Sequence, residues 1–317
     1  MKWSSPATSR RALPAAIPLA VLLALLAGTA LVEPAFLSPA NLGMLAAESS
    51  VLLLLASGQT LVVLLGGIDL SMAALAALVS VLLALALPAM GAGAVPAVLA
   101  LSTAIGLFQG VVHVRGQLPS LVVSLAGGGI CAGIALAVGH ATIPVSEGYG
   151  AVGWLEDSTA GVPHAFAFAV AALLALAGCL HWLAFGRRVY AIGLNPRAAL
   201  MSGVPVGRVK IVAFALSGLF AGLAGMALVA RTYSGNPTIA DSLLMPSIAA
   251  VLIGGNAVTG GVGGMGRTLI GVLSITVLRV GSAAVGLDPA YEPMAYGILI
   301  VAAVALTVDR AKIGVIK

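Results

Sequence analysis

A run of glycines is the first candidate for a functional site, because glycine-rich turns can bind phosphate groups. Residues 260–268 read Gly-Gly-Val-Gly-Gly-Met-Gly-Arg-Thr, and Gly261 to Gly266 match the G-x-G-x-x-G spacing of a phosphate-binding turn. Such a turn requires a strand before it, a helix after it and a soluble βαβ unit around both. Both flanks here are long apolar runs, which argues against nucleotide binding. We predict a tight cytoplasmic turn at this place.

Histidine and cysteine supply the second candidate. Cys179 and His181 lie close in sequence, with His164 upstream. A metal site needs three or four convergent ligands, and this spacing does not provide them. No G-x-S-x-G motif indicates a nucleophile either. We therefore predict no catalytic residue, no metal site and no cofactor in this chain.

Two similar segments are more informative. Residues 63–71 read Val-Leu-Leu-Gly66-Gly67-Ile-Asp69-Leu-Ser, and residues 251–259 read Val-Leu-Ile-Gly254-Gly255-Asn256-Ala-Val-Thr. Gly-interrupted apolar segments in both halves of a transporter indicate broken helices that line the transport path. The alternative is that the glycines permit close helix packing and that Asp69 caps the following helix. Both interpretations remain open from the sequence.

Arg279 is a charge inside an apolar segment. It can extend toward the membrane surface, pair with a carbonyl group or line a water-filled cavity. Its depth favours the cavity, so we place it with the predicted path residues. The predicted translocation path consists of Gly66, Gly67, Asp69, Gly254, Gly255, Asn256 and Arg279.

Residues 185–210 form a punctuated basic segment. Asn195 is a suitable N-cap, Pro196 suits the first helical position, and Gly203 suits a helix end. The spacing predicts a short helix through Arg197 and Ser202, between basic flanks. A plain anchoring loop would not need this punctuation.

The elements that position these residues follow from composition. The 317-residue chain is 61% hydrophobic and 8% charged, whereas soluble domains carry roughly a quarter charged residues. Lipid must be the solvent for much of the chain. Runs such as 13–32 are almost continuously apolar and suit spanning helices of about 20 residues, so we predict an all-α membrane protein.

Breaks at charges, Pro and Gly define ten predicted spans. They run over 13–32, 49–65, 71–88, 95–113, 120–139, 163–184, 211–230, 244–258, 268–286 and 293–308. The eighth is short enough to be a half-helix. The first is longer than the apolar part of a signal peptide, and we interpret it as an uncleaved anchor.

Basic residues orient the spans. With the N-terminus in the cytoplasm, thirteen of the 15 Lys and Arg residues lie at inner loops or tails; Arg231 lies outside and Arg279 within a span. This asymmetry fits the positive-inside rule. We predict a cytoplasmic tail at 1–12, one membrane domain at 13–308 with its cytoplasmic loop at 185–210, and a cytoplasmic tail at 309–317.

The loop resembles the coupling segment of ABC importer permeases of the ribose, xylose and galactose type. The shared pattern is F-G-R-x-x-Y-A-I-G-x-N-x-x-A-A-x-x-S-G, which is met from Phe185 to Gly203. The Gly66 to Ser71 motif and the Ala215 to Gly225 run also agree. Departures occur at Asn256, Arg267 and Arg279.

The resemblance implies a permease subunit of an ABC importer in the bacterial inner membrane, with a monosaccharide or related small polar solute as cargo. Its partners would be a second permease subunit (identical or different), a cytoplasmic ABC ATPase that binds ATP, a periplasmic or lipid-anchored solute-binding protein, and membrane lipid, but no nucleic acid. The residues expected to contact the ATPase are Gly193, Asn195, Arg197, Ala198, Ala199, Ser202 and Gly203.

Two alternatives stay open. The cargo of the same importer class could be an amino acid or a nucleoside. The chain could instead be an ion-coupled secondary transporter, which would want intramembrane ionisable groups; the sequence offers Asp69 and Arg279.

Overall fold

The computed structural model describes residues 9–286 and 288–307 as a helical bundle. The helices are α1 (Ser9–Val32), α2 (Pro39–Leu64), α3 (Met72–Met90), α4 (Ala94–Arg115), α5 (Ser120–Val138), α6 (Gly150–Gly153), α7 (His164–Trp182), α8 (Ala184–Leu194), α9 (Pro196–Met201), α10 (Val206–Thr232), α11 (Leu244–Ile253), α12 (Met265–Ala284) and α13 (Glu292–Thr307). Two-residue strands are β1 (Ile143–Pro144), β2 (Ser158–Thr159), β3 (Val162–Pro163) and β4 (Ser234–Gly235).

Each of the ten predicted spans contains one helix, with shifted ends. Helix α2 starts at Pro39 rather than 49, because Ser38 precedes it as N-cap and Pro39 takes a first-turn position. Six helical segments in the described residues are long and apolar enough to cross a membrane; one of them, Met72–Arg115, contains both α3 and α4. Helices α1, α11 and α13 contribute shorter apolar stretches. The membrane class is confirmed, and the count of ten crossings stays a prediction.

Helix α11 shows that the eighth predicted span is a short helix. It covers ten residues, Leu244–Ile253, which corresponds to about 15 Å of rise. A hydrocarbon core of roughly 30 Å exceeds that length. The helix stops at Gly254, and the chain turns through residues 254–264 before α12 begins.

The core lies around α2, α3 and α10. Side chains of α2 are buried continuously from Ser49 to Leu64, so this helix is enclosed on all sides. Helix α10 packs against α2, α3 and α4, while α12 contacts α1, α2 and α11. Helix α5 packs mainly against α3.

Glycines allow the close approach of α10. A side-chain carbon on Gly218 would overlap the backbone of Ser102 in α4, and one on Gly225 would lie 2.8 Å from Val79 in α3. Gly129 and Gly133 on α5 have no neighbour within 4 Å in the described part of the chain. That side of α5 is therefore open in the single protomer.

The predicted outer loop at 140–162 carries a small cap. Strand β1 pairs antiparallel with β4, with Ile143 opposite Gly235. The Tyr149 hydroxyl donates to the Ala230 carbonyl at 2.7 Å, and its ring stacks on Tyr233. Burial raises the pKa of the Tyr149 phenol, which keeps it protonated as a donor. The cap fixes the C-terminal end of α10. The predicted N-terminal tail lies partly, and the C-terminal tail wholly, outside the described residues.

Candidate functional site

The predicted cytoplasmic helix is present as α9. Asn195 is its N-cap, and its side-chain oxygen accepts hydrogen bonds from the backbone N–H groups of Arg197 at 3.1 Å and Ala198 at 3.0 Å. Pro196 occupies the first turn. Gly203 follows with φ +79°, a left-handed conformation that glycine adopts without strain. The punctuation of the sequence therefore predicts this helix correctly.

Most of α9 faces away from the protein. Asn195, Arg197, Ala198, Ser202 and Gly203 are exposed, whereas Ala199 is 5% exposed and packs inward. The helix and its approach also expose three large apolar side chains. Their exposed fractions are 69% for Leu194, 62% for Leu200 and 88% for Met201. Sequence analysis missed these three residues, although they lie inside the matched segment.

The segment before α9 is helical as well, a feature that the sequence analysis does not predict within the segment 185–210. Helix α8 buries Gly186, Val189 and Ile192, three positions apart, and exposes Arg187 and Arg188. This periodicity is that of an amphipathic helix lying on the protein.

Tyr190 joins α8 to the glycine-rich turn. Its hydroxyl donates to the Gly263 carbonyl at 3.3 Å. Burial raises the pKa of this phenol, against a smaller opposing effect of the nearby Arg267 charge. The hydroxyl therefore remains a donor at neutral pH.

Gly193 lies at a three-way backbone contact that we call the glycine junction, formed by Leu64 to Gly67, Gly193 and Thr259 to Gly261. The N–H of Gly261 donates to the Leu64 carbonyl at 2.9 Å. A side-chain carbon on Gly193 would overlap both of those backbones. Gly66, Gly260 and Gly261 have φ between +75° and +85°. The junction brings the end of α2, in the first predicted Gly-Gly segment, and the turn that follows the second segment against the end of α8.

Asn256 holds the turn between α11 and α12. It is 1% exposed; its Nδ2 donates to the Val251 carbonyl and the Thr268 hydroxyl, and its Oδ1 accepts from the N–H of Gly264. The side chain is fully engaged within the turn. Gly254 packs against the backbone of Arg267, whose guanidinium donates to the Gly255 carbonyl at 2.8 Å. These contacts support a tight turn, and a path role for the three residues stays a prediction.

Asp69 connects two helices. Its Oδ1 accepts from the N–H and hydroxyl of Ser71 immediately before α3, and its Oδ2 accepts from the Ser217 hydroxyl of α10 at 2.6 Å. The carboxylate is 3% exposed. Asp69 thus bonds the N-cap residue of α3, and it makes a bond to α10 that sequence spacing does not indicate. The path interpretation and the capping interpretation of Asp69 both stay predictions.

Arg279 has a partner that sequence analysis overlooked. Glu48 of α2 accepts hydrogen bonds from Arg279 of α12 and from Arg231 at the end of α10. We call this group the outer ion cluster. It ties three helices together, and its two arginines and one acid leave a net positive charge.

A cavity lies where α4, α5 and α10 meet the first Gly-Gly segment. It has a volume of about 250 Å³ and is lined by Gly66, Gly67, His113, Ser120 and Lys210, with apolar neighbours. The ammonium group of Lys210 lies 3.4 Å from Nε2 of His113, whose Nδ1 contacts the Leu118 carbonyl. Two predicted path residues thus border a polar cavity. No group of three metal-binding side chains occurs in the described residues.

Comparison with known families gives one match over most of the chain. Residues 41–304 match the family described as branched-chain amino acid transport system / permease component.

Individual relatives carry sugar names. The chain is 36% identical over 290 residues to the ribose import permease protein RbsC of Bacillus subtilis (strain 168), covering 89% of this chain and 88% of the relative. It is 33% identical to the protein of the same name in Escherichia coli (strain K12), covering 93% of each. The fructose import permease protein FrcC of Rhizobium meliloti is 33% identical over 92% of this chain and 85% of its own length.

Proposed function

The chain belongs to the branched-chain amino acid transport system / permease component family, and we propose that it is the permease subunit of an ATP-driven importer for a monosaccharide or related small polar solute. It is a multi-pass protein of the inner membrane. Ten crossings and cytoplasmic termini are part of the proposal, supported by the distribution of Lys and Arg.

The observation that carries the coupling role is the surface of α9. Exposed apolar side chains are ordinary where lipid covers them. Helix α9, however, lies in a stretch from α8 to the start of α10 whose exposed charges are Arg187, Arg188, Arg197 and Arg208. Leu194, Leu200 and Met201 therefore form an apolar patch within a basic, water-facing region. Such patches are typical of protein–protein contact sites. A separate ATPase subunit, which binds the ATP, is the proposed partner.

Movement of α9 has a direct route into the bundle. Helix α8 directly precedes α9, and its second-last residue, Gly193, lies at the glycine junction with the end of α2 and the turn before α12. Close backbone contacts transmit displacement with little slack because packed interiors are barely compressible. Displacement of α9 would thus shift both Gly-Gly segments together.

Three further partners complete the proposal. A second permease subunit would enclose the path, either as an identical or a different chain. A periplasmic or lipid-anchored solute-binding protein would deliver the cargo to the outer face. Lipid would surround the exposed apolar helices. These assignments rest on the family and on the names of its relatives.

The sugar assignment rests on relatives that are named for ribose, fructose and L-arabinose import. The family description itself names branched-chain amino acids, so these form the second candidate cargo. The two candidates differ in the charged groups they carry. A branched-chain amino acid has an ammonium group and a carboxylate, whereas a monosaccharide has only uncharged hydroxyl and carbonyl or ring oxygen groups.

The test is reconstitution of the permease with its ATPase and binding protein in liposomes. We expect ATP-dependent uptake of a labelled monosaccharide among ribose, fructose and L-arabinose. Leucine or valine uptake without sugar uptake would replace the proposed cargo. Uptake without ATPase and ATP, driven by an ion gradient, would instead support a secondary transporter.

Coupling is tested at the apolar patch. Met201→Asp and Leu200→Asp should lower co-purification of the ATPase by about tenfold or more, because each buries a charge in the contact. The matched control is Gln117→Asp, which adds the same charge at an exposed position between α4 and α5, outside the patch and the residues expected to contact the ATPase. Undiminished ATPase binding in both aspartate variants would contradict the coupling role.

A further inference from the structure

Lys210 is a cation that has no carboxylate partner among the described residues. It lies in the first turns of α10, is half-buried, and borders the polar cavity beside Gly66 and Gly67. Both ion pairs of the described residues belong to the outer ion cluster instead. A charge that is partly withdrawn from water is stabilised by a partner of opposite sign. The cavity therefore suits an anion.

The other polar groups of the cavity favour an anion as well. The two ring nitrogens of His113 contact the Leu118 carbonyl and, at 3.4 Å, the ammonium group of Lys210. The Ser120 hydroxyl accepts from the N–H of Ile68 at 3.3 Å, which leaves its own O–H as a donor. No carboxylate lines the cavity in the described part of the chain. A cation and a hydroxyl donor without an acid suit a phosphate group.

An apolar groove adjoins this cavity between α4 and α5. It has a volume of about 430 Å³, and its surface is almost wholly apolar. The amide of Gln109 is buried against α5 rather than exposed in the groove. Val112 and Leu118, which line the groove, are chain neighbours of His113 and Pro119, which line the cavity. Polar cavity and apolar groove therefore lie end to end.

The groove has the depth of one bilayer leaflet. Its lining residues on α5 run from Val122 to Ile134, which corresponds to about 18 Å of helix rise. The hydrocarbon of one leaflet is roughly 15 Å thick, half of the bilayer core. The cavity lies at the groove end where α4 stops at Arg115 and α5 starts at Ser120. This arrangement matches a lipid whose headgroup lies at the helix ends and whose tail lies between the helices.

We propose that the cavity and the groove together form a binding site for an anionic phospholipid. The lipid phosphate pairs with the Lys210 ammonium and the Ser120 hydroxyl, and one acyl chain lies in the groove. Basic pockets between membrane helices bind such headgroups on the cytoplasmic side of other proteins. Binding of this lipid does not depend on the cargo, so the site goes beyond the proposed function.

A second copy of the chain does not supply the anion. Apart from Asp69, the described acids are Glu48 of the outer ion cluster and residues of the predicted outer loops. Asp69 is 3% exposed and is bonded to two serines of its own chain. An identical copy can pack on an apolar face, but its described residues offer no carboxylate for Lys210. A lipid phosphate offers both the charge and the attached tail.

The experiment measures the lipid that the purified transporter complex retains. The complex is extracted from vesicles of phosphatidylcholine with added phosphatidylglycerol, and retained lipids are quantified by mass spectrometry. We expect selective retention of phosphatidylglycerol. Lys210→Met should lower it by about tenfold, because a charge-assisted hydrogen bond is lost, and Lys210→Arg should keep it. The matched control Arg208→Gln removes an exposed cation on another face of α10 and should keep it too.

A second pair of variants tests the groove separately from the charge. Ala126→Trp fills the groove from an exposed position on α5, so it should also displace phosphatidylglycerol. Leu125→Trp adds the same side chain at an exposed position outside the groove and should leave retention unchanged. Phosphatidylglycerol should raise the thermal midpoint of the wild type more than phosphatidylcholine does, since a ligand of the folded state stabilises it. Lys210→Met should lose this difference.

Four results would overturn the inference. Equal retention of phosphatidylglycerol by Lys210→Met and wild type would show that only bulk lipid is bound. Displacement of the lipid by inorganic phosphate, with the same rise in thermal midpoint, would assign the cavity to a free anion. Displacement by ribose would assign the cavity to the transport path. Dissociation of the two permease subunits by Ala126→Trp, but not by Leu125→Trp, would assign the groove to a second copy.

Discussion

Glu48 is a single residue with consequences for three helices. Its carboxylate contacts Arg231 and Arg279, and it is 19% exposed against 39% and 32% for the two arginines. The acid offsets the repulsion between two like charges near the C-terminal ends of α10 and α12. Without it, both arginines would need water or lipid headgroups as partners.

We therefore expect Glu48→Gln to lower the free energy of unfolding. Exposure of the arginines weakens each pair, so the combined loss should be about 1–2 kcal/mol. Thermal unfolding in detergent measures it. The double variant Glu48→Gln with Arg279→Gln should be less destabilised than the sum of its single changes, because the two groups interact. Full additivity would contradict the outer ion cluster.

Gly193 provides a second prediction for one residue. Gly193→Ala places a carbon on the backbones of Leu64 and Gly261, which cannot move as a side chain can. We expect a cost of about 1–3 kcal/mol and a loss of sugar uptake. Gly266→Ala is the matched control, since nothing described lies within 4 Å of its new carbon. Equal uptake in both variants would exclude the junction from coupling.

Residue-level partners were the hardest part to predict. Glu48 and Arg279 are far apart in sequence. The spacing of residues within one helix does not predict which residue of a distant helix they contact. The family resemblance places Gly193 among the coupling residues. Its contact with Gly261 depends on how the helices pack, which the sequence alone does not show.

At the scale of elements, α9 shows that capping residues in the sequence can predict where a short helix begins and ends. The residues that start and end this helix act within their own turn, so their roles can be predicted without tertiary structure. They are Asn195, Pro196 and Gly203. Helix α8 escaped prediction because its two arginines and two glycines obscure its apolar face. That face, Gly186, Val189 and Ile192, is defined by what it packs against.

The cap of α9 supports a further prediction. Asn195→Ala should destabilise this short helix by about 1 kcal/mol and reduce the coupling of ATP hydrolysis to uptake. Asn195→Asp should retain function, because aspartate also accepts from the first N–H groups of the helix. The ratio of sugar transported to ATP hydrolysed is the measurement. An unchanged ratio in the alanine variant would argue against an ordered helix as the coupling element.

Bulky substitution of α9 should distinguish its faces. Arg197 and Ala198 are exposed, so Ala198→Trp should abolish uptake by blocking the contact while membrane insertion persists. Ala199 is buried, and Ala199→Trp should also disturb the packing of α9 itself. Limited proteolysis of the loop separates the two cases. Normal transport by Ala198→Trp would contradict docking at this face.

At the scale of the whole molecule, composition predicts the membrane class and the apolar runs predict the helix positions. The orientation, which rests on the positive-inside rule, stays a prediction. The fold's centre at α2 and α10 could not be predicted, since every run is similarly apolar. Helix α2 differs from α5 by being enclosed, which depends on the other helices.

Topology gives the last prediction. With ten crossings, a reporter active only outside the cytoplasm should be silent when fused after Lys317. The same reporter inserted after Glu147, in the predicted outer loop, should be active. Activity after Lys317 would require an odd number of crossings or a reversed orientation.

The glycine junction also bears on how the chain is made. Its hydrogen bond joins Leu64 to Gly261, and ribosomes deliver Leu64 long before Gly261. During insertion, the Leu64 carbonyl at the end of α2 therefore lacks its partner, the Gly261 N–H, while α3 through α11 are synthesised. A nascent chain stopped before Gly261 should therefore expose the first Gly-Gly segment to quality-control proteases, and completion of the turn before α12 should end that sensitivity.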